Sequence, residues 1–313
     1  MAVFWKELAD DFTSRRLLIL FPLVFLAAVS ATYVASQGLR PTYGEEEVET
    51  IRFVFLKLFT ISSGALPSFS EFIASLIPIV GIALGFDAIN SEKNTGTMSR
   101  ILSQPIYRDS FINGKFLAGV ATIAIMLTSM MLLISALALY RLGITPSSEE
   151  VIRLISFLVV SIIYSSFWLG LAILFSIFLQ RSATSALASI AIWVFFAFFM
   201  LMFASLIADW LVPITGEENN ATMLMRHTEV ELMVMRVSPI GLFNEAGTVL
   251  LLPEIRTLGV IPMWISVWMI DNPVSLGQSL LIVWRHLVTL IALTAVCFAI
   301  AYIKFMHEEI RST

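Results

Sequence analysis

Residues 85–115 read GFDAINSEKNTGTMSRILSQPIYRDSFINGK, a polar stretch set between two long apolar runs. Polar punctuation in such a place marks a chain that leaves an apolar medium, turns and re-enters it. Asn94 to Gly96 supply the turn signal. Thr97 is placed to cap a short helix whose Met98, Ile101 and Leu102 form one apolar edge at spacings of three and four. Pro105 stops that helix, and Tyr107 to Ser110 start the next. A short amphipathic helix held at a surface is shaped to dock in a groove of a partner protein.

The flanks say what the surface is. The 313-residue chain is 58% hydrophobic and 13% charged, with a mean hydropathy of +0.89, far from the balance of a soluble domain. An α-helix needs about 20 apolar residues to cross a hydrocarbon core. Residues 17–39, 116–140, 154–180 and 182–208 carry no charged residue. Residues 69–90, with Glu71 and Asp87 near the ends, and residues 287–303, bounded by Arg285 and Lys304, complete six expected spans. The expected fold is therefore an all-α integral membrane protein, residues 1–313 forming one transmembrane domain. A cytoplasmic hairpin at 91–115 joins spans 2 and 3, and a large outer segment at 209–280 precedes span 6.

Six spans place both termini on one side. Ten of the nineteen Lys and Arg residues fall on the side of the termini, and that side is net +2 against −6 for the other, so both termini are expected to be cytoplasmic. Residues 4–16, FWKELADDFTSRR, mix acids with bases before the first apolar run, unlike a cleavable leader. Phe4, Trp5, Leu8 and Phe12 recur at helical spacing with Lys6, Glu7, Asp10 and Asp11 between them, so residues 1–16 read as an amphipathic helix along the interface.

On the outer side, Glu45, Glu46, Glu47 and Glu49 read as a solvated cluster, and Phe53, Phe55, Leu56 and Phe59 as a segment resting on the membrane surface. Pro213, Pro239, Pro253, Pro262 and Pro273 break up the segment at 209–280. Residues 257–270 are uncharged but too short to span, and Trp264 and Trp268 suit an interfacial or re-entrant element. Asn220-Ala221-Thr222 is a glycosylation acceptor pattern.

Little supports catalysis. His227, Glu229 and Glu231 read as loop charges rather than metal ligands. Glu149, Glu150 and Arg153 resemble the Glu-Glu and Arg set of intramembrane prenyl-protein proteases, but the Arg comes one residue early and the segment sits at a loop. Cys297 stands alone, and Gly114-Lys115 lacks the rest of a phosphate-binding loop. No catalytic, cofactor or metal residue is expected. The spans also lack the internal ionisable groups of an ion-coupled transporter, leaving a subunit whose energy comes from elsewhere. A self-sufficient secondary transporter and an intramembrane enzyme are the alternatives. Pro78, Gly81 and Gly85 in span 2 are candidate hinge residues, since Pro frees a carbonyl and Gly permits close helix approach.

Asp87-Ala88-Ile89, Glu92-Lys93, Gly96-Thr97, Leu102, Gln104-Pro105-Ile106, Arg108 and Gly114-Lys115 match, in order and spacing, the signature of ABC-type-2 transporter permeases. The chain resembles that family, nearest the branch that includes permeases for nitrous-oxide-reductase maturation. The resemblance implies an exporter subunit of the cytoplasmic membrane that pairs with a second copy of itself and with ATP-binding cassette subunits, which would hold ATP and Mg. Asp87, Glu92, Lys93, Gly96, Thr97, Pro105, Arg108 and Lys115 would form the coupling element. Glu92 and Arg108 would orient it, Gly96 and Thr97 shape its entry, and Pro105 define its exit. Membrane lipid is an expected partner and nucleic acid is not. Spans 2 and 5 would wall the pathway, where Trp193, Phe195, Phe196, Phe198, Phe199 and Phe203 could suit an apolar or lipid-like cargo.

Overall fold

The computed structural model describes residues 1–43, 53–62, 67–98, 107–213, 221–256, 258 and 273–307. Among these the regular elements are helical. They are α1 (Ala2–Thr13), α2 (Arg15–Tyr43), α3 (Val54–Thr60), α4 (Phe69–Gly85), α5 (Asn90–Asn94), α6 (Arg108–Leu142), α7 (Ser148–Phe178) and α8 (Ser182–Val194). A π-helical turn, Phe195–Phe199, leads into α9 (Met200–Leu211), followed by α10 (Ala221–Met235), α11 (Pro239–Leu251) and α12 (Leu276–His307).

Six stretches among the described residues are long and apolar enough to cross a membrane: Arg15–Gln37, Phe69–Asn94, Arg108–Arg141, Ser148–Phe178, Ser182–Leu211 and Leu276–His307. The helices run past the uncharged cores, because terminal polar residues cap them. Ser68 with Glu71, and Ser147 with Glu150, form capping boxes that start α4 and α7. Gly143, at φ +70°, ends α6. α12 starts at Leu276, well before residue 287, where Arg285 and His286 bound the uncharged run.

The span α7 is the axis of the bundle, touching α4, α6, α8, α11 and α12. Its Tyr164 and Trp168 are fully buried, and 72% of its most apolar window lies inside the protein against 11% for the span Ser182–Leu211. The α4–α7 contact is close because glycine makes it so. A Cβ on Gly85 would lie 2.8 Å from both the Leu169 carbonyl oxygen and Ala172 Cβ, and one on Gly81 would lie 3.0 Å from the Ser165 carbonyl oxygen. One turn before Gly81, Pro78 has no N–H for the carbonyl of Ala74, four residues earlier. The Tyr164 hydroxyl donates to that carbonyl at 2.8 Å. The candidate hinge is thus a close-packed, hydrogen-bonded seam.

One expectation changes, and a second segment gains detail. The segment α3 does not rest on the membrane surface: Phe55, Leu56 and Phe59 are essentially inaccessible, and Phe59 meets Phe69 edge-on at 5.3 Å. Its apolar pattern reads the same for a lipid-facing and a protein-facing helix. Within the segment at 209–280, α11 is a buried helix started by Ser238, whose side chain accepts from Ile240 and Gly241 N–H groups, with Pro239 at its first position. Phe243 of α11 stacks on Tyr164 at 4.4 Å. Glu45 to Glu49, Asn220 and nearly all of 257–270, including Trp264 and Trp268, lie outside the described residues.

Candidate functional site

The end of the bundle that carries the 85–115 hairpin is stitched by side chains from four elements. After Gly85 the span α4 breaks over residues 86–89, and its released N–H groups are taken by the span opposite: Ser176 Oγ of α7 accepts from Ile89 at 2.9 Å and Asn90 at 3.1 Å. Buried Asn90 also donates to the Leu179 carbonyl and accepts from Ser182 Oγ at 3.0 Å. Asn94 donates to the Gln180 carbonyl at 3.2 Å. The start of the hairpin is therefore tied to the α7–α8 turn.

Beyond α5 the chain turns at Gly96, whose φ of +68° favours glycine. Thr97 then donates its hydroxyl back to the Glu92 carboxylate. The other oxygen of Glu92 accepts from Lys115 Nζ at 3.5 Å, and Lys115 reaches on to Glu7 of α1 at 2.7 Å. Asp87, just past the break, is held by both terminal nitrogens of Arg16, with Nη1 at 2.6 Å, while the guanidinium lies 4.7 Å from the Phe86 ring centroid. Arg108 Nη1 donates to the Met306 carbonyl near the end of α12 at 3.5 Å. Lys93 sits half-buried on α5. Pro105, with Ile101 and Leu102, lies outside the described residues.

The residues that sequence reasoning missed are on α1. Its expected polar face is only partly solvated: Glu7 and Asp11 join Val3, Phe4 and Leu8 on the less exposed side, while Trp5 and Phe12 stay exposed. The α1–α6 approach is close, for a Cβ on Gly114 would fall 2.8 Å from Val3 Cγ1. Asp11 accepts from Thr122 Oγ1 at 3.1 Å. Burial pushes its carboxyl up to about 6, Thr122 and Lys115 pulling down against Glu7 and Asp10. Glu7, Asp11, Arg16, Asp87, Glu92 and Lys115 line a cavity of about 480 Å³.

The opposite end holds a second polar knot. Arg153 is wholly buried and donates to the carbonyls of Leu250 and Val274, to Ser279 Oγ at 3.1 Å and to Glu149. Glu150 accepts from Phe55 N–H at 3.1 Å. Glu245 of α11 accepts from Arg236 at 2.8 Å and pairs with His286 Nε2 at 2.6 Å. Burial raises the Glu245 carboxyl, but these two partners outweigh it and hold the group below its usual range. His227 pairs with Asp209 at 2.9 Å. Among the described residues no three His, Cys, Asp or Glu are grouped to hold a metal.

The hairpin end joins α1, the start of α2, the break after α4, α5 and α6 through polar side chains. A family model described as ABC-2 family transporter protein matches residues 1–310, and the chain belongs to that family. It is a membrane permease subunit of an ABC transporter. Among similar proteins is the probable ABC transporter permease protein NosY of Pseudomonas aeruginosa, 29% identical over 203 residues, which cover 63% of this chain and 67% of that protein.

Proposed function

We propose that the chain exports an apolar or amphipathic cargo across the cytoplasmic membrane, with both termini cytoplasmic and α1 lying along the inner surface. The hairpin at 91–115 would receive a separate ATP-binding cassette subunit, which holds ATP and Mg, and two copies of the chain would pair. The observation that carries this reading is the position of Glu92. One carboxylate grips the hairpin turn through Thr97, span 3 through Lys115 and, by way of Lys115, the interfacial helix through Glu7. A push on the hairpin from a docked ATPase would therefore reach three elements at once. Pro78, Gly81 and Gly85 would pass that motion along span 2, with the Tyr164 hydroxyl holding the bond that a bend must break.

The test is purification of the tagged chain from its native membrane in mild detergent. Recovery of an ATPase subunit bearing a phosphate-binding loop is expected, with ATP hydrolysis that responds to cargo and loses that response in Glu92→Ala. A chain that purifies alone and supports gradient-driven uptake would replace this reading with a secondary transporter.

A further inference from the structure

Span 2 does not run unbroken into the hairpin. Residues 86–89 form a turn between α4 and α5, and the N–H groups of Ile89 and Asn90, which a continuous helix would give to the carbonyls of Gly85 and Phe86, both go to Ser176 Oγ on α7. Ile89, Asn90 and Ser176 are essentially inaccessible, so no water takes the place of that hydroxyl. The side chain of Asn90 extends the same anchorage to the α7–α8 turn. Its amide nitrogen donates to the Leu179 carbonyl and back to Phe86, each at 3.4 Å, and its oxygen accepts from Ser182 Oγ at 3.0 Å. One helical turn on, Asn94 donates to the Gln180 carbonyl at 3.2 Å. Leu179, Gln180 and Arg181 are the whole link between α7 and α8. The start of the hairpin therefore holds that link along its length, by hydrogen bonds between neutral groups.

The two helices that leave the link differ in what else holds them. α7 is the most buried of the six spans, and the span Ser182–Leu211 is the least. Beyond Ser182, the inner half of span 5 makes no side-chain hydrogen bond to a neighbouring helix among the described residues. Ser189 donates to the Ser185 carbonyl within α8, while the buried Ser185 hydroxyl and the Trp193 indole nitrogen have no partner. Packing against α4 and α7 holds this half in place, and dispersion contacts are less directional than hydrogen bonds. A displacement applied at the link is thus resisted by α7 and taken up by span 5.

We propose that the hairpin drives span 5: Asn90 is the positioning residue that hands the hairpin's displacement to the α7–α8 turn, and Ser176, on the fixed axis, is the pivot about which α5 swings. This adds an output to the proposed function, which carries a push through Glu92 to span 3 and α1, and it rests on that reading for the ATPase that pushes.

The test reads the distance between nitroxide labels on span 5 and on α7, in the full chain in nanodiscs. Leu187→Cys and Val159→Cys, at exposed positions, carry the labels, with Cys297→Ser removing the native thiol. In the chain alone, Asn90→Ala should broaden the distance distribution, because the foot of span 5 loses its polar tie. With the co-purified ATPase subunit, ATP and vanadate should shift the distance in the parent. That shift should be lost in Asn90→Ala while the ATPase subunit stays bound, a pattern that a mere loss of stability does not produce. Ser182→Ala removes a single bond from the same site and should act in the same direction to a smaller degree, which keeps the test open if Asn90→Ala does not fold. Identical distributions in the chain alone, a nucleotide-driven shift that survives Asn90→Ala, or a parent that hydrolyses ATP without any shift would overturn the proposal. If no ATPase subunit is recovered, the transport reading fails by itself, and the comparison in the chain alone still decides whether Asn90 holds span 5.

Discussion

The two ends of the bundle handle buried charge in opposite ways. At the hairpin end Arg16, Asp87, Glu7, Glu92 and Lys115 pair across four elements around an open cavity, and Arg16 keeps about half its side chain exposed (49%). Only Arg16 among them reaches solvent freely; Lys115 bridges two carboxylates and is itself largely buried beside the cavity. At the other end Arg153 is sealed, its guanidinium shared among two carbonyls, a hydroxyl and a carboxylate from α7, α11, α12 and Val274, two residues before α12. Opening that knot would leave the guanidinium, both carbonyls and the Ser279 hydroxyl unpaired where they are buried. The contrast separates charge paired beside an open cavity from charge sealed within the bundle.

Substitutions can break or sharpen this contrast. The largest effect is expected for Arg153→Met, which leaves the Leu250 and Val274 carbonyls and Ser279 unpaired and should cost about 3–5 kcal/mol, read as a collapse of the detergent melting temperature. If Arg153→Met melts like the parent, the sealed knot is not a fixed point. Next comes Tyr164→Phe, which strands the Ala74 carbonyl freed by Pro78 and should cost about 1–3 kcal/mol. If the same variant also alters coupled ATP hydrolysis, the seam transmits motion; an unaltered coupled rate would confine it to stability.

Smaller still is Glu92→Gln. Its pair with Lys115 is largely buried, while Gln can still accept from Thr97, so stability should fall by about 1–2 kcal/mol, while cargo-stimulated ATPase activity is lost. A variant equally weakened in both would make Glu92 a structural residue.

The smallest effect is a pH dependence. The Asp11 carboxyl titrates near 6 in the folded protein against an ordinary value of 3.8, so the folded form binds the proton more tightly than the unfolded chain. Its contribution to stability is complete below about 3.8 and is lost as pH rises through about 6. Glu245, held low, acts in the other sense and only under more acidic conditions. Between pH 5 and 7, therefore, the parent should lose a few degrees of melting temperature that Asp11→Asn does not, about 1 kcal/mol at most for a partly hydrated group. Identical slopes would show that Asp11 is not buried against Thr122.

How much of this was legible depended on whether partners lay nearby in the chain. Apolar length alone marks a span, because the bilayer and not a distant residue sets the requirement. The hairpin also reads locally, as Gly96, Thr97 and Glu92 sit within five residues. Glu7 and Asp11 looked like a solvated face because their partners, Lys115 and Thr122, are 108 and 111 residues away. Arg153 looked like a loop charge because Ser279 lies 126 residues on. The pattern of α11 was available in Ser238-Pro239, an N-cap followed by a proline at the first helical position. At thirteen residues it was too short to register as a span, and burial by a bundle leaves no period that lipid would not also leave.

One irregularity in the fifth span alters how the whole span is used. Its inner half buries Ser185 and Ser189 and touches α4 and α7, whereas its outer half buries Met200, Ala204 and Ala208 and lies along α10. Residues 189 and 200 are eleven apart, close to three complete α-turns, so in an unbroken α-helix both stripes would share one azimuth. The wider turn at Phe195–Phe199 twists them out of phase. A single span thus serves two masters, gripping the bundle with one half and carrying an external helix with the other, and the aromatic rings of the turn sit at the gear change between them.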